Sequence, residues 1–268
     1  HSMGGLVLRS ALTLRQPNPF DGVGRIVFVA PPFKGSCSIP EVLIKGEKNG
    51  WLSKEEDFRK LARTFPSVYQ LIPSFGGAAV DMDGKNLNLF NFRNWQANVT
   101  ASGMFKQSFL ANAKAFHQGG VATHGGTSDA PMLKDSDLRQ HAENVLIVLS
   151  VGHKTRYQIQ VDTNNETNRN WFIFDNNKGF DNNGDERVHM KSAGVQGITL
   201  AAFRDAKEHS LVCKDPIVIK AVATWLTTGC APKLTRRKSS DKATREQPER
   251  FIPWDGNETS FPQHISKV

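Results

Sequence analysis

The residues best suited to chemistry stand at the start of the chain. His1-Ser2-Met3-Gly4-Gly5 supplies four positions of the five-residue G-x-S-x-G pattern, whose first glycine would fall outside the chain. That pattern puts a serine on a sharp strand-to-helix turn, where small neighbours relieve a close-packed, strained backbone and leave the hydroxyl exposed. A helix running on from Met3 aims its N-terminal N–H groups and positive dipole end at Ser2. The Met3 backbone N–H is then a natural donor to an oxyanion formed at the serine. The chemistry implied is nucleophilic attack on an acyl carbon. The same five residues also fit a chance match or the remnant of a purification tag.

A serine hydroxyl needs a base, and the base needs an orienting acid, which in this motif follow the nucleophile in the order acid, then histidine. Asn182-Asn183-Gly184-Asp185 places a carboxylate after a tight turn, and Glu208-His209-Ser210 places a histidine 24 residues beyond Asp185. His209 is expected to take the proton from Ser2, and Asp185 to fix the imidazole tautomer and stabilise its charged form. An Asp after Gly is also a common turn former. His117 and His124 fall in an inserted region, His141 lies before a strand, His153 precedes the acid, and His189 follows Asp185 by only four residues, so all five are weaker partners. Asp181-x-Asn183-x-Asp185 starts like a calcium loop, but Glu186 stands at the turn-glycine position and Ser192 at that of the bidentate Glu, which excludes an EF-hand. With no Gly-rich phosphate loop and no Cys/His ligand cluster, no cofactor or metal is expected.

These side chains must be held by a sheet. Met3 to Gln16, with Leu6, Val7, Leu8, Ala11, Leu12 and Leu14, suits a helix packed on one. Gly24 to Pro32 and Asn144 to Gly152 are short continuous apolar runs, as in parallel strands buried on both faces. Arg156 to Asp162 and Asn170 to Asp175, separated by the polar stretch Thr163 to Arg169, are expected to pair and extend the sheet edge. Lys214 to Thr227 reads as a helix with Asp215 as N-cap, Pro216 in the first turn and Gly229 as the stop. The fold class is therefore α/β. The expected division is 1–36 for the serine turn, helix and first strand, 37–143 for an inserted cap, 144–231 for the C-terminal core with acid and histidine loops, and 232–268 for a polar tail.

Composition sets bounds. The chain has 268 residues, 38% hydrophobic and 22% charged, which is globular and long enough for a sizeable core. It has no run of 18 apolar residues and no charged-then-apolar leader. Cys37, Cys213 and Cys230 lack metal-ligand spacing and read as free thiols, which leans slightly towards a cytoplasmic compartment while leaving it open. Sequons at Asn98, Asn165 and Asn257 would matter only in a secreted protein. Half of the net charge of +8 lies between Lys233 and Arg250, where seven basic residues face three acidic ones. Pro232 to Val268 is expected to be a solvated basic tail, with contact to an anionic surface as the alternative and no specific nucleic-acid partner.

HSMGGLVLRSAL, RIVFVAPPFKGS, FPSVYQLIPSF, NGDERV and KEHS together resemble the lecithin:cholesterol acyltransferase-like branch of the α/β-hydrolases, over nearly all of residues 1 to 231. Phe65 to Pro73 is similar to that family's cap segment, with its Pro-Ser-x-Tyr-x-Leu-x-Pro pattern. The resemblance implies Ser2 as nucleophile, Asp185 as acid, His209 as base and the Met3 N–H as an oxyanion donor. It implies a lipase, phospholipase or acyltransferase acting on a lipid-like acyl ester through an acyl-enzyme. It further implies a chain cut at its N-terminal side, carrying the family's strands 6 to 8, the cap and the terminal helix without the five strands that precede the nucleophile. One departure concerns the acid loop, where Glu186 and Arg187 stand in place of the family's Gly-Thr after the aspartate. The alternative is a non-catalytic module presenting the aromatics of the insertion (Trp51, Tyr69, Phe75, Phe90, Phe92, Trp95) to a partner or lipid.

Overall fold

In the computed structural model, α1 (Gly4–Thr13) leads to β1 (Ile26–Val29), followed by α2 (Ile39–Ile44), α3 (Glu55–Ala62) and α4 (Pro66–Gln70). Next come β2 (Ala79–Asp81), α5 (Ala97–Thr100), α6 (Gln107–His117), β3 (Ala122–His124), β4 (Thr127–Asp129) and α7 (Asp135–Arg139). The remainder runs β5 (Val145–Val151), β6 (His153–Arg156), β7 (Ile159–Asn165), β8 (Arg169–Ile173), β9 (Phe180–Gly184), α8 (Met190–Ala193), β10 (Leu200–Arg204), α9 (Pro216–Thr228) and β11 (Phe251–Trp254). The described residues are 1–15, 19–48, 54–119, 122–124, 127–129, 131–204, 206–230 and 251–254, with the backbone alone described in 122–124, 127–129 and 251–254.

The chain is a mixed α/β protein. Its main sheet has the order β1-β5-β10-β11. β5 runs parallel to β1, with Ile26 opposite Val145, and parallel to β10, with Ile147 opposite Leu200. All seven residues of β5 are buried, as its unbroken apolar run requires of a strand covered on both faces. α1 buries Gly5, Leu6, Arg9 and Leu12 and leaves Met3, Val7, Leu8 and Leu14 exposed. α9 is capped by Asp215, whose carboxylate accepts the Ile217 N–H at 2.9 Å, and it ends at Gly229 with φ 72°, the left-handed stop that glycine allows without strain. Trp225 of α9 is buried and donates its indole N–H to the Ile26 carbonyl at 3.2 Å, tying that helix to β1.

Two segments differ from the sequence reading. β7 and β8 pair antiparallel as expected, yet not at the edge of the main sheet: β7 also runs parallel to β2, giving a separate sheet of order β2-β7-β8. Ile159, Val161, Phe172 and Phe174 there join a second apolar core with Tyr69, Ile72 and Trp95, which outweighs edge extension of a strand pair. This core draws residues from both sides of position 143. The second difference is β11: part of the stretch expected to be a polar tail pairs antiparallel with β10, Leu200 opposite Trp254. Phe251-Ile252-Pro253-Trp254 is an apolar island in that stretch, and an edge strand tolerates Pro253, which has no N–H to donate. The rest of 231–268 lies outside the described residues, as does Trp51.

Five of the six aromatics singled out in the insertion are buried or half-buried, while Phe65 of the same region is exposed. Tyr69, Phe75 and Trp95 are buried, and Phe90 and Phe92 pack against them half-buried. Tyr69 donates its hydroxyl to the Arg63 carbonyl and accepts the Lys106 N–H, both at 3.2 Å. These rings belong to the second core.

Candidate active site

Ser2 immediately precedes α1 and lies beside the C-terminal end of β1. Its backbone N–H donates to the Val29 carbonyl at 2.9 Å, and the next residue of that strand end, Ala30, donates to Val148 of β5 at 2.7 Å. Ser2 and Ala30 both hold left-handed backbones, with φ 52° and 47°. Such conformations cost a non-glycine residue on the order of 1 kcal/mol and persist only where surrounding bonds enforce them. The turn leaves the Ser2 side chain partly exposed, and the Met3 N–H meets no acceptor among the described residues.

The small-residue requirement falls one position later than the motif suggests. A Cβ on Gly4 would meet nothing within 4 Å, whereas one on Gly5 would lie 2.9 Å from the Cβ of Pro31 and 3.3 Å from the Phe33 ring. Helix α1 approaches the chain after β1 at Gly5, so that is where the close packing bears.

Asp185 arrives on the loop after β9. β6 and β9 pair antiparallel, with His153 opposite Gly184, and the turn closes when the Asp185 N–H donates to the Val188 carbonyl at 3.2 Å. Gly184 is required here, because a Cβ would fall 2.4 Å from the Val188 carbonyl oxygen. Glu186, the charged replacement noted in the sequence, takes φ 82°, and its N–H donates to the Thr155 hydroxyl at 2.8 Å. The loop thus keeps a left-handed step without a glycine. Asp185 is fully buried, and one of its carboxylate oxygens accepts the N–H groups of Val188 at 2.8 Å and Arg187 at 3.2 Å. A buried carboxylate is tolerable only with its lone pairs met in this way.

His209 follows β10, its backbone N–H donating to the Asp185 carbonyl at 2.9 Å. Its ring joins the other two side chains: Nδ1 lies 2.8 Å from Asp185 Oδ2 and Nε2 lies 2.8 Å from Ser2 Oγ. An ionised carboxylate can only accept, so Nδ1 donates and Nε2 is left to accept the serine proton. Residues 2, 185 and 209 therefore form one hydrogen-bonded chain, ordered as a base between an acid and a hydroxyl. His1 borders it, its ring 4.9 Å from that of His209 and its Nε2 3.1 Å from the His209 carbonyl.

The remaining histidines have other partners. His189 is buried and its Nε2 lies 3.1 Å from both oxygens of Asp181, while its Nδ1 accepts the Lys191 N–H at 3.2 Å. Burial alone would raise the Asp181 carboxyl, but the His189 hydrogen bond and charge, with help from Asn183, hold it below the ordinary carboxylate value. His153 meets the Ala206 carbonyl at 2.7 Å, and His117 meets the Gln70 carbonyl at 2.7 Å, where burial lowers its pKa. The side chain of His124 lies outside the described residues. Sequence reasoning missed the Asp181–His189 pair, although its eight-residue spacing across one hairpin turn is readable once β9 is recognised. It also missed Arg9, whose signal was a charge on the buried stripe of α1.

The chain thus presents an α/β sheet with a Ser-His-Asp hydrogen-bonded chain at the ends of its strands. Residues 1–117 match a family model described as Lecithin:cholesterol acyltransferase. The matched segment contains Ser2, Met3 and the Phe65 to Pro73 segment, while Asp185 and His209 lie beyond it. No curated protein matches the chain.

Proposed function

We propose that the protein is a serine esterase, lipase or O-acyltransferase acting on a lipid-like acyl ester, with Ser2 as nucleophile, His209 as base and Asp185 as the acid that orients it. The observation that carries this reading is the pair of 2.8 Å contacts joining Ser2, His209 and Asp185 from three separate parts of the chain. Ser2 Oγ attacks the ester carbonyl carbon while its proton passes to His209 Nε2. The resulting oxyanion is met by the Met3 N–H. Collapse breaks the bond to the alkoxy oxygen, which leaves as an alcohol with the proton from His209, and the acyl group stays on Ser2. Water or an alcohol then attacks the acyl-enzyme, losing its proton to His209, and restores the serine.

In this reading the sheet belongs to the C-terminal part of an α/β-hydrolase, 37–143 is its cap, and 144–231 carries the acid and histidine loops. The parallel neighbours β1, β5 and β10 and the strained serine turn held beside the C-terminal end of β1 support it. A fluorophosphonate probe tests the assignment on the 268-residue chain and on any longer form carrying residues before His1. Mass spectrometry is expected to find the adduct on Ser2 and none in Ser2→Ala; equal labelling of both overturns the proposal.

A further inference from the structure

None of Ser2, Asp185 or His209 lines the cavity of about 550 Å³ that opens between α1, α6, α7 and the loop after β1. Four cations reach it from four elements: Arg9 of α1, Lys34 of the loop, Lys114 of α6 and Lys134 at the start of α7. Asp135 is the single carboxylate in its wall among the described residues.

Arg9 is the unusual member. Its side chain is 0% exposed, and although Nη2 reaches Asp135 at 2.8 Å and the Leu133 carbonyl, its Nε and Nη1 have no partner among the described residues. Burial lowers its pKa, against the pull of Asp135. Each unspent donor can meet one oxygen of a phosphate or similar oxyanion. Phe33 stacks beneath it at 4.7 Å and fixes its plane. Lys134 is positioned too, its stem lying against Gly119, where a Cβ would come within 2.7 Å of Cε. Phe75, Leu87, Phe90 and Met132 supply an apolar wall, while Ser74, Asn86, Asn88, His117 and Gln118 line the same space with polar groups.

We propose that this cleft is a binding site for a phosphate-bearing ligand, separate from the serine site and about 10 Å along α1 from it by helix rise. Arg9, Lys34, Lys114 and Lys134 hold the phosphate oxygens, and the apolar wall takes any attached chain. The proposal does not depend on the chemistry assigned to Ser2, so binding is expected to be equal in Ser2→Ala.

Isothermal titration of the 268-residue chain with inorganic phosphate, octyl phosphate and the neutral octyl glucoside tests it. Both phosphates are expected to bind with affinity that falls as salt rises, and octyl glucoside is not. Tighter binding of octyl phosphate identifies a lipid head group as the source; equal binding identifies free phosphate. Lys114→Gln and Lys134→Gln, both exposed side chains whose loss leaves the core intact, are each expected to weaken phosphate binding about two- to fivefold. The double variant is expected to weaken it about tenfold. Octyl glucoside binding as well as octyl phosphate, no binding of either phosphate, or unchanged affinity in the double variant overturns the site.

Discussion

At the residue scale, the candidate centre depends on Asp185 being buried and fully hydrogen-bonded while it holds one ring nitrogen of His209. Asn at this position keeps the shape but can present an N–H where an acceptor is needed, turning the imidazole to the wrong tautomer. Under the proposed reaction, Asp185→Asn is expected to lower kcat on a p-nitrophenyl ester by about 10³- to 10⁴-fold with the chain still folded by circular dichroism. A loss under tenfold would remove the acid role. Glu186 poses the opposite question, because its φ of 82° is strained for any L side chain. Glu186→Gly is expected to raise the urea midpoint, by up to about 1 kcal/mol in stability, since relief of the left-handed strain exceeds glycine's added entropy in the unfolded chain. The backbone bond to Thr155 survives the change, so a lower midpoint would mean that the Glu186 side chain itself holds the loop.

At the element scale, the antiparallel pair of β6 and β9 carries Asp185 and the start of α1 carries Ser2, and each makes a separable prediction. The Asp181–His189 pair clamps the loop that carries Asp185. A carboxyl whose folded pKa lies below its unfolded value, near 3.9, adds stability that is present above that value and is lost as pH falls through the folded one. Chemical unfolding is therefore expected to show wild type more stable than Asp181→Asn at pH 6, with the gap shrinking below about pH 4; a gap that widened there would contradict the direction of the shift. In α1, Gly5→Ala forces a Cβ to 2.9 Å from Pro31 and is expected to cost about 1–3 kcal/mol. Gly4→Ala meets only open space in a helix and is expected to be neutral or stabilising by up to about 1 kcal/mol. Reversal of the two effects would restore Gly4 as the packing glycine.

At the scale of the whole molecule, what could be read in advance depended on whether the signal was local. The strands β1 and β5, the helices α1 and α9 and the Asp215 cap were legible because apolar runs and breakers mark them in adjacent residues. Ser2, Asp185 and His209 were legible because their order and loop settings are written along the chain. The partnership of β7 with β2 was not, since nothing in either segment states which of two apolar cores its side chains will join. The same holds for β11, a four-residue apolar island whose partner strand lies some fifty residues upstream. Gly5 was passed over because the clash that demands it comes from Pro31, which the pattern around the serine does not contain. Hydrogen exchange offers a check on the resulting architecture. Amides of β5, paired on both sides, are expected to exchange slowest, and those of β1, paired with β5 alone among the described strands, faster.

The bond from Ser2 to the Val29 carbonyl, and from Ala30 to Val148, means that the serine hangs from rungs made of main-chain atoms. A carbonyl has no side chain to exchange, so the acceptor that holds Ser2 stays the same whatever residue stands at position 29. Val29→Ala is thus expected to lose activity and folded population in equal proportion, leaving the specific activity of the folded fraction untouched.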